Sequence, residues 1–213
     1  MILIGIGANL TSPIHGPPLL TCEAAIRAIC PPPVRATDGS GDLINGPISL
    51  IARSRWWRSK PVPPSGQPWF INGVIRISTE LDPKVLLEYL HEVERAFGRV
   101  RGEKNAARVL DLDLLTYGDE VIETEPLTGP EMALIEEGGE AFRIPHPRLS
   151  ERAFVLYPIA DIAPDWVHPE TGKPLKALVK LLDPEQVIQP VEPARRPNVQ
   201  RPDPRFGVLM EEG

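Results

Sequence analysis

The chain opens on a short, unbroken apolar run, Ile2 to Ile6, closed by Gly7, and a run so brief and so bounded predicts a buried strand. A helix is expected from Thr21 to Ile29, ended by the run Pro31-Pro32-Pro33, which cannot continue it. Ser49 to Trp57 and Phe70 to Thr79 are rich in β-branched and aromatic residues and predict two strands, joined by a proline-rich loop over 61–68. The clearest helix follows. Asp82 suits the N-cap and Pro83 the first helical position, while Leu86, Leu90, Val93 and Phe97 recur at helical spacing before Gly98, predicting a helix over 83–97. Leu110 to Tyr117 is then a strand. The order β-α-β-β-α-β is the split βαβ arrangement: an α+β, ferredoxin-like fold, with a mostly antiparallel sheet, helices packed on one face, and C-terminal additions.

Composition sets the bounds on this picture. A chain of 213 residues with 42% hydrophobic content can bury one core, and one domain is expected over 1–182. Proline is the outlier: 26 residues are more than twice the roughly 5% of average usage. Several lie after Asp183 among few apolar residues, so 183–213 reads as an extended, weakly packed tail. A net charge of −6 argues against a whole-surface grip on nucleic acid or on an anionic membrane. No apolar run approaches the roughly 18 residues of a membrane span, and the amino terminus lacks the marks of a signal peptide, so a cytoplasmic location is expected. Cys22 and Cys30 have no zinc-site spacing and read as reduced, structural residues.

Candidate chemistry concentrates in Leu110-Asp111-Leu112-Asp113-Leu114-Leu115. Side chains alternate along a strand, so Leu110, Leu112 and Leu114 point to the core while Asp111 and Asp113 share the other face, their Cα atoms roughly 7 Å apart. Two carboxylates so placed can clasp a hard cation, and magnesium, which keeps waters and phosphate oxygens, suits such a sparse site. An ordinary half-exposed strand with two solvated acids would show the same pattern. Just upstream, Arg95, Arg99, Arg101, Lys104 and Arg108 face a single acid, Glu103, in an otherwise acidic chain. Arginines fork onto phosphate oxygens, so loop and carboxylates together point to a polyphosphate with its metal. Taken alone, the loop is equally a solvated basic segment. In Pro145-His146-Pro147 the flanking prolines hold the histidine out of a helix, either to donate to a phosphate oxygen or only to cap a turn. Arg152 and Phe154 are expected on a short helix starting near Ser150.

Five fragments in register, GIGANL (5–10), QPWFINGV (67–74), ERAFGRVR (94–101), RVLDLDLLTYG (108–118) and PHPRLSERAFVLYPIADIAP (145–164), resemble the 6-hydroxymethyl-7,8-dihydropterin pyrophosphokinase family of folate biosynthesis. The resemblance runs to about Leu182. It implies transfer of a diphosphoryl group from ATP, the co-substrate, to the pterin's hydroxymethyl group. By the same resemblance Asp111 and Asp113 bind two Mg2+ ions, and Ser59, Val62, Phe70, Asn72 and Phe154 form the pterin pocket, the ring lying between Phe70 and Phe154. Glu94 meets the nucleoside part of ATP, His146 and Arg152 meet its phosphates, and Arg99, Arg101 and Arg108 are the catalytic arginines on the transferring group. The partners are thus small molecules, on a monomer or weak homodimer, and the chain is too short for a fused second folate enzyme.

Three departures stand out. Phe70 occupies a position where the family commonly has tyrosine. Asn105-Ala106-Ala107 replaces the usual tryptophan and Gly-Pro before the arginine of the metal motif, which affects how the basic loop closes over ATP. An insertion rich in Glu and Gly, 128–141, precedes the Pro-His-Pro segment and is expected as a short surface helix. Two other classes fit parts of the pattern, a metal-dependent phosphodiesterase or nuclease and a noncatalytic ferredoxin-like binding module, but neither accounts for five fragments in order. The early Gly5-Ile6-Gly7 lacks the third glycine of a dinucleotide fingerprint.

Overall fold

A computed structural model describes residues 1–35, 43–44, 46–99, 106–124 and 142–192. The elements in chain order are β1 (Ile2–Ala8), α1 (Pro18–Ile29), β2 (Val34–Arg35), β3 (Leu43–Ile44), β4 (Ile48–Arg53), β5 (Trp57–Ser59), β6 (Phe70–Thr79), α2 (Pro83–Ala96), β7 (Asp111–Thr116), β8 (Ile122–Glu123), β9 (Arg143–Ile144), α3 (Ala153–Ile162), α4 (Leu175–Lys180) and β10 (Ile188–Pro190). The insertion at 128–141 lies outside the described residues.

The apolar opening run becomes the central strand because both its faces find a partner layer. Ile4, Ile6 and Ala8 join Leu112, Leu114, Ile75 and Ile77 in the cluster under α1 and α2. Leu3, on the opposite face, packs with Val74 and Leu115 against Leu149, Val155, Leu156 and Ile159 of the α3 region. β1 is flanked antiparallel by β6 and β7, and the sheet order is β10-β5-β6-β1-β7, with β4 also beside β6. Every pairing in this sheet is antiparallel. The ferredoxin-like arrangement is therefore present, with α1 and α2 on one face and the added helices α3 and α4 on the other.

Local chemistry sets the element ends. Asp82 accepts from the Lys84 N–H at 3.0 Å, and Pro83 starts α2. Gly98, at φ 84, provides the left-handed turn that closes it. α1 begins three residues before the expected Thr21, because Pro18 is already preset for a helix and Pro17 accepts from Leu20.

The single strand expected over 49–57 is two. Ser54 breaks it: its N–H still donates to the Val74 carbonyl at 2.9 Å, but its Oγ, in place of a backbone carbonyl, accepts from the Val74 N–H at 3.0 Å and donates to the Arg55 carbonyl. Trp56 then folds over Gly73, where an added Cβ would come within 2.6 Å of the indole. β4 pairs with 75–79 of β6 and β5 with 70–72.

The described start of the expected tail, 183–192, is packed where a loose segment was expected. β10 pairs with β5, and Gln186 accepts from the Ala153 N–H at 2.9 Å while donating to the Glu151 carbonyl at 2.7 Å. Residues 193–213 lie outside the described residues. Cys22 is buried and Cys30 partly so, both as free thiols, and burial pushes them up to about 12 and about 11. Among the described residues no helix is long and apolar enough to cross a membrane.

Candidate active site

The register of three strands builds a trough on the α3 side of the sheet. Gly7 of β1 lies between Asn72 of β6 and Asp111 of β7, and Gly5 lies between Val74 and Asp113. Strand alternation puts all six on one face. Two glycines in the central strand leave the middle of each row without a side chain. At Gly7 an added Cβ would come within 3.2 Å of the Asn72 Oδ1, so the floor is already filled to its limit there. Walls rise from Ser59 at the end of β5, from Lys60, from Val62 of the proline-rich loop, and from Phe70 and Phe154, enclosing a solvent-open cleft with about 820 Å³ of empty space. The five expected pterin residues thus line one cleft, together with Asp111, Asp113, Arg108 and Arg152.

The carboxylates are not two solvated acids. Asp111 is 24% exposed and is held by Arg108 Nη1 at 2.6 Å and Arg99 Nη1 at 3.1 Å. Asp113, 28% exposed, is held by Arg152 Nη1 at 3.1 Å. Burial pushes the Asp111 carboxyl above its ordinary range, Asp113 adds to the rise, and Arg108 and Arg99 oppose it. Half-buried anions gathered on three guanidiniums form a charged pocket in which a phosphate chain and a cation can exchange places with these pairs. Among the described residues no third His, Cys, Asp or Glu completes a metal cage. The donor set therefore fits a hard cation whose other ligands are water and phosphate, which is magnesium's preference.

Asn72 donates from Nδ2 to the Ser59 Oγ at 3.0 Å, so the buried Ser59 hydroxyl orients the amide. His146 is pinned by its N–H to the Leu115 carbonyl, and its Nδ1 accepts from the Arg148 N–H at 3.1 Å. That bond leaves the proton on Nε2, and burial lowers the imidazole's pKa, the charge of Arg152 acting in the same direction and that of Asp113 against it. The result is a neutral donor, beyond the cleft's lining. Arg152 is the N-cap of α3, preceded by a single 3-10 turn at Leu149–Glu151, so the expected helix starts later than Ser150. The Arg152 guanidinium lies 5.5 Å from the Phe154 ring centroid.

Glu94, expected at the nucleoside part of ATP, lies on α2 outside the cleft's lining. It is 3% exposed and sits behind β7, accepting from the Leu112 N–H at 2.6 Å and pairing with Arg99. Burial raises its carboxyl to about 7 against the pull of Arg99. Its contacts tie α2 to β7. Arg101 lies outside the described residues. Gly5, Gly7 and Asn9 were not among the sequence candidates; alternation along β1 would have put both glycines on the face opposite Ile4 and Ile6, but which strands flank them is a long-range fact.

The sequence profile of the 7,8-dihydro-6-hydroxymethylpterin-pyrophosphokinase family matches residues 3–164. The chain is 37% identical over 181 residues to the 2-amino-4-hydroxy-6-hydroxymethyldihydropteridine pyrophosphokinase of Synechocystis sp., covering 85% of this chain and 75% of the relative. It is 35% identical over 168 residues to the enzyme of the same name from Haemophilus influenzae, covering 79% and 84%. A crystal structure of wild-type Plasmodium falciparum HPPK-DHPS with SDX-DHP shares the fold at a TM-score of 0.53 and 13% identity, covering 84% of this chain. This chain spans 42–44% of the length of such HPPK-DHPS structures.

Proposed function

The chain belongs to the 7,8-dihydro-6-hydroxymethylpterin-pyrophosphokinase family, and from that membership we infer that it transfers the β,γ-diphosphoryl group of ATP to 6-hydroxymethyl-7,8-dihydropterin. The hydroxymethyl oxygen forms a bond to the β-phosphorus and the bond from that phosphorus to the α,β-bridging oxygen breaks. AMP leaves with the bridging oxygen, the hydroxyl proton is released, and the pterin carries the diphosphate into folate synthesis. The observation that carries this reading is the single trough holding an aromatic pair, an oriented amide, two carboxylates and guanidiniums.

Each group has a task that its position supports. Phe70 and Phe154 take the flat pterin between their faces, and Asn72, oriented by Ser59, reads its polar edge. Val62 and the backbone at Ser59 close the pocket. Asp111 and Asp113 would hold a pair of magnesium ions, which when bound supply charge neutralisation for the phosphates. Arg99, Arg108 and Arg152 move from carboxylate to phosphate partners as the nucleotide arrives, and Arg101 joins them. His146 offers its Nε2 proton to a phosphate oxygen. Positioning and electrostatics then carry most of the rate. We place this step in the cytoplasm, as expected from the sequence.

The test is product identity. Incubation with ATP, magnesium and the hydroxymethyl pterin gives AMP and pterin diphosphate. Formation of ADP, or no pterin-dependent turnover, would overturn the assignment.

A further inference from the structure

At the end of the central strand, Asn9 is a buried polar side chain, 3% exposed, with no part in the roles above. Its amide is shared between two segments distant in sequence. Oδ1 accepts from the Arg108 N–H at 2.7 Å, while Nδ2 donates to the Gln67 Oε1 and the Pro68 carbonyl, each at 3.2 Å. The orientation of the amide is fixed by its partners, since a backbone N–H can only donate and a backbone carbonyl can only accept. The main chain adds to the first link: the N–H groups of Asn9 and Leu10 both donate to the Arg108 carbonyl, at 3.0 and 3.1 Å.

Arg108 is the guanidinium nearest Asp111, and Gln67 belongs to the proline-rich loop that walls the pterin side of the same cleft. A planar amide with one end on each cannot follow a shift of either segment without straining its bond to the other. A buried asparagine that only needed satisfying could find all its partners in one loop. This one spans the two halves of the cleft.

We propose that Asn9 is a positioning residue that couples the pterin-side loop to the nucleotide-side arginine, so that ligand on either side tightens the other. The coupling is reciprocal by linkage, and factors of about 5 to 150 are usual for such effects. The proposal rests on the pyrophosphokinase reading.

The test measures binding of hydroxymethyl dihydropterin with and without magnesium and an ATP analogue whose α,β-bridging oxygen is a methylene. Asn9→Asp keeps the acceptor for Arg108 but replaces the donor with an oxygen facing two acceptors, and Asn9→Ala removes both. In the unmodified protein the analogue tightens pterin binding. In both variants that ratio falls to within about twofold of one, while each ligand alone binds within about threefold of normal, a separation that general loosening of the site would not give. An unchanged ratio in the two variants, or an unmodified protein that binds both ligands independently, overturns the proposal and leaves the activity standing. Failure of the unmodified protein to bind either ligand sinks the pyrophosphokinase reading and this proposal with it. Loss of folding in both variants, seen as lost circular dichroism, places Asn9 with the core and also overturns it.

Discussion

Asp111 and Asp113 begin in the grip of arginines, and this has a consequence at the scale of the single residue. Asparagine at either position keeps the side chain's shape but removes the charge that the guanidiniums meet and that the proposed cation would need. Asp111→Asn and Asp113→Asn are each expected to lower kcat at least about 10²–10³-fold, in the range of other lost charge-stabilising groups, with little change in thermal stability. AMP formation measures it, and a variant within tenfold of the unmodified rate would remove that carboxylate from the site. Phe154 makes a different demand. An aromatic pair is worth about 0.5–1.5 kcal/mol beyond its area, so Phe154→Ala should raise the pterin KM roughly tenfold or more and leave the ATP KM nearly unchanged. An equal rise in both KM values would mean that the ring shapes the whole cleft instead of stacking on the pterin. The carboxylate pair was legible in the sequence because a strand's period of two needs only local order. Asn9 was not, because its partners lie 58 to 99 residues away and nothing local announces them.

Elements meet at Glu94, where the second helix takes hold of the strand that carries Asp111 and Asp113. The carboxylate accepts the Leu112 N–H and pairs with Arg99, yet burial still raises it from 4.5 to about 7. The folded protein therefore binds a proton more tightly than the unfolded chain, and stability tied to that proton is fully present below about pH 4.5 and lost as pH rises through about 7. Glu94→Gln keeps the acceptor for Leu112 and cannot titrate. In magnesium-free buffer its melting temperature should match the unmodified protein near pH 5 and exceed it by pH 8, the gap widening by at most about 1.4 kcal/mol per pH unit across the window. A constant gap from pH 5 to 8 would show that Glu94 stays ionised. The helix carrying it was legible to within a residue of its end, since cap, first-turn proline and apolar spacing agree. The break between the fourth and fifth strands was not, because β-branched and aromatic residues favour extended chain on either side of Ser54, and only the folded partner, Val74, reveals that a side chain interrupts the ladder.

On the scale of the whole molecule, the cleft has one wall on the proline-rich loop and the other on the third helix, and the segment after Leu182 fastens both. β10 pairs with Trp57 to Ser59, the Lys60 N–H donates to the Val187 carbonyl at 3.1 Å, and Gln186 takes up the Ala153 N–H at the start of the third helix. Proline content had marked this stretch as weakly packed. Pro190 stands on an edge strand, however, where a missing N–H costs little, so composition alone could not separate a loose tail from an added strand. A chain ended after Glu192 keeps these bonds and is the reference. One ended after Leu182 loses these bonds at about 0.5–1.5 kcal/mol each, and its melting temperature should fall by several degrees. Its pterin KM should rise more than its ATP KM, because Ser59 and Phe154 are the groups set adrift. Steady-state kinetics on the two truncations decides the matter: if the shorter chain matches the longer in pterin KM, the strand is an ornament on the sheet and the cleft is held without it.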